Sequence, residues 1–344
     1  MTLLHLKKKK NRSIETEDMK RLQSEYNIMS DTSQFTGPSD TIIRGFIKSG
    51  FSVSRKASER IDVVKMKLYN AFNTAELPGS LVLWKQSNLS KQSDPAVLEV
   101  WNHTEKYCTF LRETLEMYSI DHRGKCVISS VHVGKRLCNA FWNGYFMVYG
   151  DGDLSKYLQP FCRDPMIIYH ELTHGVIQYN FPLDYSGQSG AINEHVADVF
   201  SVIAHHYLNE STPKCGRWDP GSMIVTKRGM SLRTFDDNKA YDYEELGTDE
   251  QVKHASNFYE GPEDEGGVHI NSGILNHMFY IFCTLLDEVI WEKPLKIWYG
   301  ALVGIRHDCE FEEFAGRLAT SCDNLYSNRE LEFLIGALQG VGIA

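Results

Sequence analysis

The chain has 344 residues, enough to bury a substantial core as one large or two ordinary domains. A formal net charge of -9 and a pI near 5.8 argue against a nucleic-acid partner, and no apolar run reaches the length of a membrane-spanning helix. The eight cysteines, at 108, 126, 138, 162, 215, 283, 309 and 322, make no CxxC pair or zinc-finger spacing, and several lie in apolar runs, so reduced thiols are the simplest expectation.

At the N-terminus, the short apolar patch Met1 to Leu6 precedes Lys7 to Lys10, the reverse of a secretory signal peptide. The expected location is therefore the cytoplasm, or outside the cell by a route without a signal peptide. The basic run with Arg12 reads as a solvated tail. Residues 13–40 are polar and read as flexible, while Ile42, Ile43, Phe46 and Ile47 predict a short amphipathic helix between Ser39 and Gly50. Val64, Met66 and Leu68 alternate with Lys65 and Lys67, which predicts a strand. Pro95 opens a long helix whose stripe is Val97, Trp101, Cys108, Leu111 and Leu115, a core face and not a cofactor box. Strands are predicted at Cys126 to Val133 and around Met147 to Tyr149.

Asp164 and Pro165 then read as N-cap and first residue of a helix carrying His170-Glu171-Leu172-Thr173-His174, ended by Asn180 to Pro182. Histidines four apart share one helix face, with the glutamate close enough to act on a metal-bound water. By itself the pentapeptide is equally compatible with a helix bearing two satisfied histidines. A second helix is predicted from Gly190, and on it Glu194 and Asp198 share a side. Acids flanked by this much apolar sequence rarely go unpaired. Two such helices face to face offer two imidazoles and a carboxylate, the donor set of a catalytic zinc with an open fourth position, and Asp198 is placed to hold the second nitrogen of a ligand histidine. Residues 209–265 are rich in turn formers. Helices are predicted at Gly273 to Glu288, Pro294 to Ile305, Phe311 to Leu325 and Arg329 to Leu338.

The His-Glu-Leu-Thr-His pentapeptide, Gly190-Ala191-Ile192-Asn193-Glu194, Asn139 to Gly144 with Met147 to Asp153, and Glu265 to Gly273 together resemble the thermolysin family of zinc metallopeptidases, in order from about Leu68 to the C-terminus. Leu68 to Asn73 with Leu77-Pro78-Gly79 looks most like its protealysin subgroup. The resemblance implies an α+β fold of two domains with the active-site cleft between them. Residues 1–55 would be a tail and propeptide, 56–182 an N-terminal domain of mixed sheet and helix, and 183–344 a mainly helical C-terminal domain.

It also implies a zinc endopeptidase, monomeric, acting on peptide or protein substrates. One Zn2+ would be held by His170, His174 and Glu194, with Glu171 as general base. Tyr185 and His269 would stabilise the charge developing on the scissile carbonyl, Asp264 would hold His269, and Asn193 would orient His174. Asn139 and Ala140 would bind the extended substrate and Arg233 its carbonyl on the leaving side. Ile167 and Leu232 would line the pocket for an apolar residue after the cut. Outside those motifs, Tyr185 reads as a loop aromatic and His269 as a surface or core histidine.

In the subgroup the N-terminal segment covers the cleft as an inhibitor. Here its Pro-Pro-aromatic element is not found, and processing is expected between Ser54 and Glu59. Met166 and His205 stand where secreted members carry acidic calcium ligands, so no paired calcium site is expected. A non-catalytic protein that keeps the fold and metal to hold a peptide is the rival reading. The presence of Glu171 and His269 argues against it.

Overall fold

The computed structural model describes residues 64–84 and 86–343. The expected tail and propeptide, the helix between Ser39 and Gly50 and the processing point lie outside the described residues.

The alternating stretch forms β1 (Met66–Asn70), with Met66 and Leu68 buried and Lys67 exposed. It joins a five-stranded sheet with β2 (Ser80–Leu83), β3 (Val127–Val131), β4 (Ala140–Trp142) and β5 (Met147–Tyr149), ordered β2-β1-β3-β5-β4. β1 with β3 and β3 with β5 are parallel; β1 with β2 and β4 with β5 are antiparallel. The short β4 therefore forms one edge of the sheet.

Helix α1 (Pro95–Leu115) buries the whole predicted stripe, and the Asp94 side chain caps it by accepting from the Ala96 N–H. In α2 (Pro165–Asn180) Asp164 does the same for the Met166 N–H at 3.0 Å, a kind of cap worth about 1 kcal/mol. α3 (Gly187–Leu208) starts earlier than Gly190, because its first turn carries Gln188 and Ser189 and so shows no apolar periodicity. After a turn-rich stretch with a small ladder of β6 (Asp242–Tyr243) and β7 (Gly247–Thr248) come α4 (Asp264–Leu286), α5 (Lys293–Leu302), α6 (Phe311–Leu325) and α7 (Asn328–Gly340). α4 reaches back well before the Gly273 expected, since left-handed residues at 265–267 interrupt the pattern that marks a helix.

One apolar core runs from the sheet (Met66, Val127, Met147) through α2 (Ile168, Leu172) and α3 (Ile192, Phe200) to α4 and α5 (Met278, Trp298). α2 lies at its centre, packed on α1 and β4 on one side and α3 on the other. Each large side chain buried there contributes roughly 1.5–3 kcal/mol, which offsets the cost of holding charges inside. Among the described residues no helix is long and apolar enough to cross a membrane.

Candidate active site

His170 and His174 project from one face of α2 with their rings perpendicular, centroids 4.6 Å apart. Their Nε2 atoms stand 3.0 Å apart. From α3 the Glu194 carboxylate closes the group, Oε2 at 3.5 Å from His170 Nε2 and Oε1 at 3.3 Å from His174 Nε2. Two ligands about 2.05 Å from a tetrahedral zinc are themselves roughly 3.3 Å apart, so the donors have the spacing and chemistry zinc requires. Among the described residues these three make the one cluster of histidine, cysteine or acid side chains able to hold a metal ion.

The far sides of the imidazoles are held too. His170 Nδ1 lies 2.8 Å from Asp198 Oδ1, and His174 Nδ1 lies 2.9 Å from Asn193 Oδ1. Burial alone would raise both acids. The Asp198 carboxyl is nevertheless held at about 2, chiefly by Arg233 and then His170, and Glu194 is held well below the usual range by His269 and His174. Arg233 is buried, with Nη1 at 3.2 Å from Glu194 Oε2 and 3.0 Å from Asp198 Oδ2, while its Nε–H has no partner among the described residues. These ion pairs to a zinc ligand and its support were not anticipated from the sequence.

Glu171, adjoining His170 and fully buried, accepts a hydrogen bond from the Trp142 N–H at 2.9 Å. The edge strand β4 thus fixes the carboxylate beside the zinc ligands. Asn139, just before β4, is buried with Oδ1 unpartnered among the described residues, and Ala140 begins the strand. Ile167 and Leu232 both lie in the main apolar core.

Tyr185 stands on the loop before α3. Its ring is half exposed, but its hydroxyl turns inward, donates to Glu194 Oε1 and lies 3.3 Å from His269 Nε2. Burial of the hydroxyl, then the Glu194 charge, push this phenol well above its usual range, so it stays protonated. His269 Nδ1 pairs with Asp264 Oδ1 at 2.5 Å, and Asp264 Oδ2 accepts from the His269 N–H at 2.7 Å. That clasp depends on Asp264, Glu265, Gly266 and Gly267 all having positive φ, from 51° to 86°, a conformation costing of order 1 kcal/mol or more at each non-glycine.

Gly190 joins the two donors. A Cβ there would stand 2.5 Å from Val268 Cγ1 and 3.0 Å from the Tyr185 carbonyl carbon, so only glycine lets the Tyr185 loop and the segment before His269 meet. The signal was present in the Gly190 to Glu194 motif, though its reason is tertiary. The Trp142 N–H on Glu171 left no trace in the sequence, because a backbone group is identical for every residue.

A helix bearing His-Glu-x-x-His opposite a glutamate-bearing helix, set between a mixed sheet and a helical bundle, defines a metallopeptidase of two domains. Residues 6–178 match the thermolysin metallopeptidase catalytic domain and residues 182–343 the thermolysin metallopeptidase alpha-helical domain. "Protease PrtS" of Photorhabdus sp. (strain Az29) is 35% identical, over 86% of this chain and 81% of that protein. "Extracellular metalloprotease" of Pectobacterium carotovorum subsp. carotovorum is 33% identical over 80% of each. The solved structure described as the precursor of protealysin, a metalloproteinase from Serratia proteamaculans, superposes with a TM-score of 0.77 at 31% identity, covering 88% of this chain and 98% of that one. The chain belongs to the thermolysin family and is a metalloendopeptidase, and the family implies a catalytic zinc at the His170, His174 and Glu194 cluster.

Proposed function

We propose that the chain hydrolyses peptide bonds with Glu171 as general base and with an apolar residue favoured just after the cut. The observation that carries this is the convergence of His170, His174 and Glu194 beside a Glu171 held by the Trp142 N–H. Zinc at that cluster supplies Lewis-acid polarisation of the scissile carbonyl and an acidified water. Glu171 takes the proton of the attacking water and returns it to the leaving amine. Tyr185 and His269 donate to the carbonyl oxygen as negative charge develops there, stabilising the transition state more than the substrate. Asp264 on Nδ1 holds the ring with Nε2 turned toward Tyr185 and Glu194.

The extended substrate adds along the edge strand β4, with Asn139 and Ala140 as its main-chain partners. The free Nε–H of Arg233 supports a role on the carbonyl of the leaving side, and the apolar surroundings of Ile167 and Leu232 support the preference for leucine or phenylalanine. The likeness to a protealysin precursor supports the N-terminal segment as a propeptide and inhibitor. We also propose that no paired calcium site operates. Met166 is buried, Asp164 is engaged by Arg217 and the Gly221 and Met223 N–H groups, and burial followed by Arg217 holds His205 at about 4, a neutral imidazole.

The test is cleavage of an internally quenched peptide with leucine or phenylalanine after the intended bond, comparing wild type with Glu171→Ala and following zinc in both. Zinc in both and hydrolysis by wild type alone is the expected result. Zinc in both without hydrolysis by the trimmed wild type would replace this reading with a peptide-holding one.

A further inference from the structure

Behind the zinc cradle lies a buried chain of polar side chains that the reaction does not use. Trp298 Nε1 donates to His195 Nε2 at 2.8 Å, His195 Nδ1 is 2.8 Å from Asn276 Oδ1, and Asn276 Nδ2 donates to Asp198 Oδ2 at 2.8 Å. Asp198 Oδ1 then lies 2.8 Å from His170 Nδ1. All five side chains are shut off from solvent, and they come from α2, α3, α4 and α5. Resting on the zinc site proposed above, we infer that Trp298, His195 and Asn276 are positioning residues that fix the orientation of the Asp198 carboxylate behind the zinc ligand His170.

Donor direction orders the chain. An indole nitrogen only donates, so His195 Nε2 has to accept, and the single proton of the neutral ring sits on Nδ1. That N–H fixes the Asn276 amide with its oxygen toward His195 and its NH2 toward Asp198. Turned over, the amide would set two oxygens 2.8 Å apart and leave a buried N–H facing another, each an unmet group costing about 1–3 kcal/mol. With Asn276 and Arg233 both donating to Oδ2, Asp198 is turned so that Oδ1 faces His170 Nδ1 at 2.8 Å. The lone pair of His170 Nε2 is thereby left for the metal. Three links donate in turn toward Asp198 and His170 faces the same carboxylate from the other side; the indole, a donor only, fixes the far end of the chain in the helical domain.

Partners behind a ligating histidine typically alter metal affinity about 10–100-fold when removed. The experiment measures zinc affinity by chelator competition in wild type, Asn276→Leu and Trp298→Phe. It also records ring 15N shifts of His195 in the zinc-free wild type and Trp298→Phe, and includes Phe279→Leu as a packing control. Phe279 touches the Trp298 ring, centroids 4.7 Å apart, and donates no hydrogen bond to the chain. The expected result is zinc bound about 10–100-fold more weakly by Asn276→Leu and about 3–10-fold more weakly by Trp298→Phe, since its other bonds persist. The Nδ1–H signature should be present in wild type and weakened in Trp298→Phe. In an Asp198→Asn background Trp298→Phe should have no further effect. Unchanged affinity in the folded variants, or an equal loss in Phe279→Leu, overturns the inference alone. Failure of the wild type to bind zinc overturns the metal site and this inference with it.

Discussion

His170, His174 and Glu194 stand on two long helices deep in the core, whereas Tyr185 and His269, within reach of the same Glu194 carboxylate, come from a loop and from the end of a left-handed turn. The ligands need no unusual backbone; helical spacing and apolar packing place them. The donors need a run of positive φ from Asp264 to Gly267 and a glycine at 190, and they keep some exposure. The contrast separates two jobs. A metal is bound by groups that hold still, while groups that serve the transition state have to stand where substrate enters, and there the chain accepts strain.

The contrast breaks most sharply at the cradle. His174→Ala should lose both zinc and hydrolysis, falling to the level of the metal-free protein, as metal analysis and a peptide assay would show. On the donor side His269→Phe should keep zinc and fold yet lose about 10²–10³-fold in kcat, the cost typical of one missing oxyanion donor. Loss of zinc in that variant would merge the two regions. Gly190→Ala should likewise retain zinc and lose about 10²-fold in kcat by separating Tyr185 from His269. An unchanged kcat would show that their approach is not needed.

A charged cluster serving neither region should show a smaller effect. His132 lies between Asp151, 2.7 Å from Nδ1, and Asp94, 3.1 Å from Nε2. The Asp151 hydrogen bond, against the opposing effect of burial, lifts its imidazole from 6.5 to about 9. Because the folded value is raised, the stabilisation is complete below pH 6.5 and disappears as pH climbs to about 9. Thermal midpoints of wild type should therefore fall across that window, while those of His132→Gln should stay flatter, with activity at neutral pH retained. Least of all, a calcium chelator that spares zinc should leave the midpoint of wild type unmoved.

Much of this was legible in local pattern. The Met66 and Leu68 alternation, the Asp164 cap and the stripe of α1 are each set by residues close in sequence, so the sequence displays them directly. β2 and the early starts of α3 and α4 were not legible, because polar first turns, left-handed residues and a strand of four residues carry no period to detect.

The two zinc helices, the residue types on their facing sides and the family they resemble follow from local order along the chain, since a helix turns every residue by a fixed angle whatever surrounds it. Folding in three dimensions is what lets the Trp142 N–H hold Glu171, Arg233 pair with Glu194 and Asp198, Tyr185 reach His269, and Trp298 connect through His195 and Asn276 to Asp198. Those partners lie far apart along the chain and meet only once the core has closed around them; no periodicity records a contact whose geometry is set by packing.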